Sequence, residues 1–353
     1  MALFKDHLYS MSPYEPPLEG RSVSEHLLLD FNERTLPVSD EVVNALCEYI
    51  QSGSLQKYPA YGDILDKLAV YTGVDANRLM ITNGSDQGID LVMRAALCSQ
   101  SRAIIPAPSF AIYRQVAEVE NAEIFAPRYN LVEGYPVAEV IDALTENTRL
   151  IVVPLPNNPT GTAVSIEDVE KILKAALKSM VLVDECYFEY SGVTVSDLLD
   201  AYDNLVITRT FSKTWGIPSL RFGFVMSQPK NIEQLLKIRG PYDVNQLAVV
   251  AAEAALSAPG YTDQYVREVM TESKPLVEEW FRSRDILFWP SQANYLWAFP
   301  AKPELLLADL KNNGILVRPK QNDQGHLGLR ITIGNRMQTE RLLGVLEKFY
   351  DLN

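Results

Sequence analysis

The chain has 353 residues, 47% hydrophobic and 22% charged, enough for a large core shared between two domains. Its formal net charge is −13 without any block of lysine and arginine, so neither nucleic acid nor an anionic membrane is expected as a partner. The cysteines (Cys47, Cys98, Cys186) and histidines (His7, His26, His326) are few and scattered, which predicts no disulfide framework, no metal site and a reducing cytoplasm.

Residues 1–28 carry little periodicity, and Tyr14-Glu15-Pro16-Pro17 favours extended structure. The N-terminus lacks the long apolar core of a signal peptide, and no run reaches membrane-spanning length. This arm is expected to pack on its own core or on a partner subunit. Leu28-Leu29-Asp30-Phe31-Asn32-Glu33 reads as a short strand ending in polar groups, with Asn32 either a turn residue or a substrate contact. Helical spacing covers 39–51, followed by the loop Leu55-Gln56-Lys57-Tyr58-Pro59 and a helix over 62–72. From there strands alternate with helices, the pattern of a parallel α/β sheet. Seven strands are predicted at 79–82, 103–105, 124–126, 150–153, 181–183, 205–207 and 222–225, separated by helices at 86–98, 109–119, 136–144 and 165–178. Residues 229–275 read as largely helical. A smaller α/β unit follows, with strands at 293–298, 315–317 and 329–333 and helices to 284, at 303–313 and to 350. The expected architecture is a large domain (34–255) with a mainly parallel seven-stranded sheet flanked by helices. A smaller C-terminal α/β domain (256–353) and an N-terminal arm that supplies part of it (1–33) complete the chain.

In an α/β sheet, ligands gather beyond the carboxyl ends of the strands. Five strand ends here are polar: Asn83-Gly84-Ser85-Asp86, Pro108-Ser109-Phe110, Pro156 to Gly161, Asp184-Glu185-Cys186-Tyr187, and Thr210-Phe211-Ser212-Lys213. Lys213 leaves a buried strand between hydroxyl residues, with Arg221 eight positions on. An enclosed amine beside three phosphate donors (Thr210, Ser212, Arg221) is what a Schiff-base lysine needs, and pyridoxal phosphate is the candidate cofactor. Gly84-Ser85-Asp86 is either a capping turn or a phosphate seat at a helix N-terminus. Asp184 is either an N-cap or the carboxylate that keeps a pyridinium protonated. Tyr187 and Asn158 can reach a ring oxygen. Phe110 can stack on a ring or belong to the core. Arg318 and Arg330 are carboxylate or phosphate forks, or surface ion pairs.

Together these residues resemble the fold-type I pyridoxal-phosphate aminotransferases of class I/II, over nearly the whole chain. The motifs Gly-Ser-Asp, Asn-Asn-Pro-Thr-Gly, Asp-Glu-x-Tyr, Ser-Lys with its later arginine, and Leu-Arg-Ile-Thr-Ile-Gly occur in the family's order. Within the class, Ser-Pro-Tyr at 12–14, Leu-Asp-x-Asn-Glu at 29–33, Lys-Tyr-Pro at 57–59 and Arg-Ile-Thr-Ile-Gly at 330–334 are most similar to the histidinol-phosphate aminotransferases. The resemblance implies that Lys213 bonds the cofactor and Asp184 holds its ring nitrogen. It puts Tyr187 and Asn158 on the ring oxygen, Phe110 on the ring face, and Ser85, Asp86, Thr210, Ser212 and Arg221 around the phosphate. It further implies a homodimer in which Tyr58 reaches the neighbouring subunit's phosphate, and substrate contacts at Tyr14, Asn32, Arg318 and Arg330. The chain departs from the family at Arg34-Thr35-Leu36-Pro37, Gln87, Phe110 and 216–221.

The expected reaction is ping-pong amino transfer from histidinol phosphate, or an aromatic or related amino acid, to 2-oxoglutarate. A decarboxylase of the threonine-phosphate type is the alternative on the same cofactor, and a non-catalytic binding module the remaining one.

Overall fold

Runs of valine, isoleucine and leucine buried on both faces mark the centre of a parallel sheet, and the chain has three such runs side by side. The structure, a computed structural model, describes residues 3–13, 15 and 18–352. Among them twelve strands form. They are β1 (Leu27–Leu29), β2 (Leu79–Asn83), β3 (Arg102–Ile104), β4 (Glu123–Phe125), β5 (Thr148–Pro154), β6 (Met180–Asp184), β7 (Leu205–Thr210), β8 (Phe222–Ser227), β9 (Leu287–Trp289), β10 (Tyr295–Phe299), β11 (Ile315–Gln321) and β12 (Leu327–Thr332).

The larger sheet has the order β2-β8-β7-β6-β5-β3-β4. Its centre is β5, β6 and β7, paired in parallel. Their residues alternate between two buried clusters: Ile151, Val153, Val181, Val183 and Ile207 on one face, Leu150, Val152, Leu182 and Val206 on the other. Helices cover both faces, so the sheet lies in the middle of three layers. The exception to parallel pairing is β8, which runs antiparallel to both β7 and β2. The reason is length: the β7–β8 connection holds only a three-residue 3-10 turn, Pro218–Leu220, too little for a crossover.

The smaller sheet has the order β1-β11-β12-β10-β9. Its first strand comes from the N-terminal segment, paired parallel to β11 through Leu27, Leu28 and Leu29. That strand is shorter than the sequence reading, because Asn32 adopts a left-handed φ of 55° and turns the chain away. The sequence reading also misses β9, a three-residue edge strand of partly exposed side chains with little pattern to find. Residues 229–282 are helical as expected, in segments beginning at Pro229, Gln246 and Gly260. Among the described residues, no helix is long and apolar enough to cross a membrane.

Candidate active site

Strands β2, β3, β5, β6 and β7 end at the same edge of the large sheet, since β2 and β7 each lie antiparallel to β8. The five polar segments of the sequence therefore meet. They enclose a cavity of about 130 Å³ lined by Ser85, Asp86, Phe110, Asn158, Asp184, Tyr187, Thr210, Ser212, Lys213 and Arg221, together with Tyr113, Pro156 and Cys186. A larger open cleft of about 930 Å³, lined by residues such as Val70, Phe188 and Leu256, holds none of the ten predicted residues that border the smaller cavity. Chemistry, not size, locates the site.

Lys213 follows β7 by three residues, and its Nζ donates to the Phe31 carbonyl at 2.9 Å. Burial, then the Arg330 guanidinium, lowers its pKa and favours the free amine.

Asp184 is the last residue of β6 and 5% exposed. It is not a helix cap: its carboxylate accepts from side chains only, Tyr113 at 2.5 Å, Cys186 at 2.8 Å and Thr208 at 2.9 Å. Burial raises its pKa despite these donors, and no cation pairs with it among the described residues. A protonated ring nitrogen supplies the missing partner, so the donor set fits a pyridinium.

On the other side of the cavity, Tyr187 accepts from Asn32 Nδ2 at 2.9 Å, leaving its own proton to donate. Burial raises the Tyr187 pKa, which keeps the phenol protonated. Asn158 Oδ1 accepts from Arg330 at 2.6 Å, which orients the amide so that its N–H groups are the free end. Two donors aimed from one side match a ring oxygen. Phe110 stands just before the helix Ala111–Val119 with its ring edge-on to Tyr113 at 5.9 Å.

Linked to Asp184 through Cys186 is a group of donors that fits a phosphate. The helix Gly84–Ala96 starts without a side-chain cap, so its first N–H groups remain available. Gly84 has φ 73°, and a Cβ there would land on the Arg221 guanidinium. A Cβ on Gly223 would lie 2.5 Å from the Ser85 amide nitrogen. Two bare glycines thus let Arg221 and the helix end converge on one point. Arg221 donates to Asp86 at 2.8 Å and Ser212 at 3.4 Å, and the Ser212 amide donates to Thr210.

The substrate-side residues divide. Asn32 is 1% exposed and engaged throughout: beyond Tyr187, its backbone N–H donates to Thr332 Oγ1 at 3.0 Å and its Oδ1 accepts from Thr332 at 3.2 Å. It is both the turn residue and a support for Tyr187. Arg330, 5% exposed, is no surface ion pair; its second nitrogen donates to the Asp30 carbonyl at 2.6 Å. Arg318 lies over the Phe31 ring at 5.3 Å. Tyr58 lies outside the cavity of its own chain, 78% exposed and stacked on Tyr242 at 4.5 Å. Tyr14 lies outside the described residues.

Sequence reasoning missed Tyr113, Thr208 and Cys186, all donors to Asp184. Tyr113 had a signal, since it stands in the first turn of the helix that follows Phe110, and the two rings meet. Cys186 adds a link, standing 3.2 Å from Ser85 Oγ on the phosphate side. Beneath the site, Glu185 points the other way into a buried ion pair with Arg209 at 2.7 Å, and Arg209 stacks on Phe188 at 3.6 Å.

The model of the aminotransferase class I and II family matches residues 24–346. A histidinol-phosphate aminotransferase of Geobacillus sp. is 32% identical over 366 residues, covering 97% of this chain and 96% of its own. The solved histidinol-phosphate aminotransferase of Sinorhizobium meliloti, in complex with pyridoxal 5′-phosphate, superposes with a TM-score of 0.86 at 20% identity, covering 100% of this chain and 99% of its own. The L-threonine-O-3-phosphate decarboxylase of Porphyromonas gingivalis has the same fold, with a TM-score of 0.78 at 23% identity over 92% of this chain and 99% of its own. A glycine-lined helix end that fits a phosphate, a buried carboxylate and a lysine, in this order along the chain and under a family match of that extent, place the chain in the aminotransferase class I and II family, as a pyridoxal-phosphate-dependent enzyme.

Proposed function

We propose that the protein transfers the amino group of histidinol phosphate to 2-oxoglutarate. The observation that carries the reading is Arg330, held between Asn158 of the cofactor cavity and Asp30 of the N-terminal segment, beside Lys213. An arginine fixed at that junction puts a fork for an anionic substrate end next to the reacting amine. The relatives that carry the name histidinol-phosphate aminotransferase, such as that of Geobacillus sp. at 32% identity, support the choice of donor.

Bound pyridoxal phosphate supplies a carbonyl for the amine and an electron sink for the bond that breaks. The chain's own residues do the rest. Lys213, enclosed and favoured as free base, carries a proton between the substrate carbon and the site. Asp184 would keep a positive charge on the ring nitrogen, and Tyr113, Thr208 and Cys186 hold that carboxylate still. Tyr187 and Asn158, oriented by Asn32 and Arg330, would donate to a ring oxygen. In our reading the active unit is a homodimer in which the exposed Tyr58 of one subunit meets the cofactor phosphate of the other, and both half-reactions share one site.

The test is a single-turnover mix of cofactor-loaded protein with histidinol phosphate, with phenylalanine as control. Conversion of the cofactor to its amine form, faster with histidinol phosphate and without carbon dioxide release, is the expected result. Amine-form conversion with phenylalanine alone discards the donor; carbon dioxide release from threonine phosphate discards the transfer.

A further inference from the structure

Three basic side chains share one face of the C-terminal sheet. Arg318 on β11 lies directly opposite Arg330 on β12, and Lys320, two residues beyond Arg318, falls on the same face. Ile315, Val317, Leu329 and Ile331, at the alternate positions of the same two strands, are buried in the core on the other face. Arg330 identifies the basic face as the one turned to the cofactor cavity, through its bond to Asn158.

Two of these cations have no counter-charge among the described residues. Arg21, which lies over Phe31 at 4.4 Å, is neutralised by Asp30 and Glu33. Arg318 lies over the same ring, yet among the described residues neither Arg318 nor Lys320 has an ion pair or hydrogen bond. The one carboxylate of the β11–β12 hairpin, Asp323, is taken by Arg128 at 2.6 Å. Lys320 is half-buried, and burial, then Arg330 and Arg318, push its ammonium down to about 8. Across from it, Gly328 has no side chain; the indole Nε1 of Trp297 lies 2.6 Å from where a Cβ would be, buried and without an acceptor among the described residues. Uncompensated cations and an orphan donor on one face call for an anion.

We propose that Lys320 is a further specificity-determining residue, which joins Arg318, the substrate contact that the resemblance implies, in seating the phosphate monoester end of the amino donor in preference to a carboxylate. The inference rests on the proposed amino transfer from histidinol phosphate and adds a residue that selects the donor's phosphate end. A carboxylate has one charge and two oxygens, which a single arginine fork satisfies. A phosphate monoester has close to two charges and three terminal oxygens, matching a fork plus the point charge of a lysine.

The experiment uses the holoenzyme and the variants Lys320→Gln and Lys320→Arg. Half-reactions are followed with histidinol phosphate and with histidinol, and binding of inorganic phosphate and of acetate is measured by calorimetry. Lys320→Gln is expected to raise KM for histidinol phosphate and weaken inorganic phosphate about tenfold, the scale of one charge-assisted hydrogen bond. The kcat, the histidinol kinetics and acetate binding stay within about twofold, the resolution of such differences. Lys320→Arg recovers most of the loss. Equal losses with both donors, or phosphate affinity unchanged in Lys320→Gln, overturn the proposal. If the wild-type protein does not turn over histidinol phosphate but its phosphate affinity still depends on Lys320, the donor assignment fails and the anion seat stands.

Discussion

A lysine is a nucleophile only as the free amine, so the charge next to Lys213 matters more than its reach. Burial and then Arg330 lower its pKa, which raises the unprotonated fraction at neutral pH. Replacing Arg330 with methionine removes the cation, so the Lys213 pKa rises. The rate of cofactor uptake by the cofactor-free protein should then need a higher pH to reach its plateau, read by stopped-flow absorbance across pH 6–10. An unmoved profile would mean that burial alone sets the amine. Lys213, Asp184 and Arg221 were legible in the sequence because each stands within a few residues of a buried strand, where a polar group is conspicuous. Thr208 was not, because its bond to Asp184 depends on the β6–β7 register, which aligns the two residues.

At the scale of elements, the phosphate seat depends on how closely the helix Gly84–Ala96 and β8 approach. Gly84→Ala meets two obstacles, a left-handed backbone and the Arg221 guanidinium. We expect the variant to fold with about 1–3 kcal/mol less stability, the usual scale of strain at such a position. Cofactor affinity should fall at the same time, as Arg221 is displaced. Denaturant unfolding and cofactor titration check the two effects; wild-type affinity in the variant would show that Arg221 has room to move. The order of strands and helices was readable from apolar runs. The direction of β8 was not, since a short connection is visible in sequence but the partner strand on each side is not.

For the whole molecule, the proposed dimer makes Tyr58 and Lys213 of one chain belong to different sites. A mixture of Tyr58→Ala and Lys213→Ala proteins, each nearly inactive, should therefore regain activity on subunit exchange. About a quarter of the wild-type level is expected, since half of randomly exchanged dimers carry one intact site of two. No recovery after verified exchange would confine each site to one chain. The arm and the C-terminal sheet already act at a distance within the chain: Asn32 and Thr332, 300 residues apart, bond to each other, and Asn32 in turn supports Tyr187.

The sequence by itself determined the fold class and the cofactor, and it pointed to the residues we propose to hold that cofactor, because they sit in short motifs at strand ends and their order along the chain carries the information. Tertiary structure alone decided what the N-terminal and C-terminal segments do. Asn32 turned out to be a support for Tyr187, Arg330 a bridge from the N-terminal segment to Asn158, and Lys320 a member of a basic face. The first two roles depend on contacts between segments far apart in the chain, and the third on the β11–β12 register and on which side chains find a counter-charge there. Local pattern holds neither.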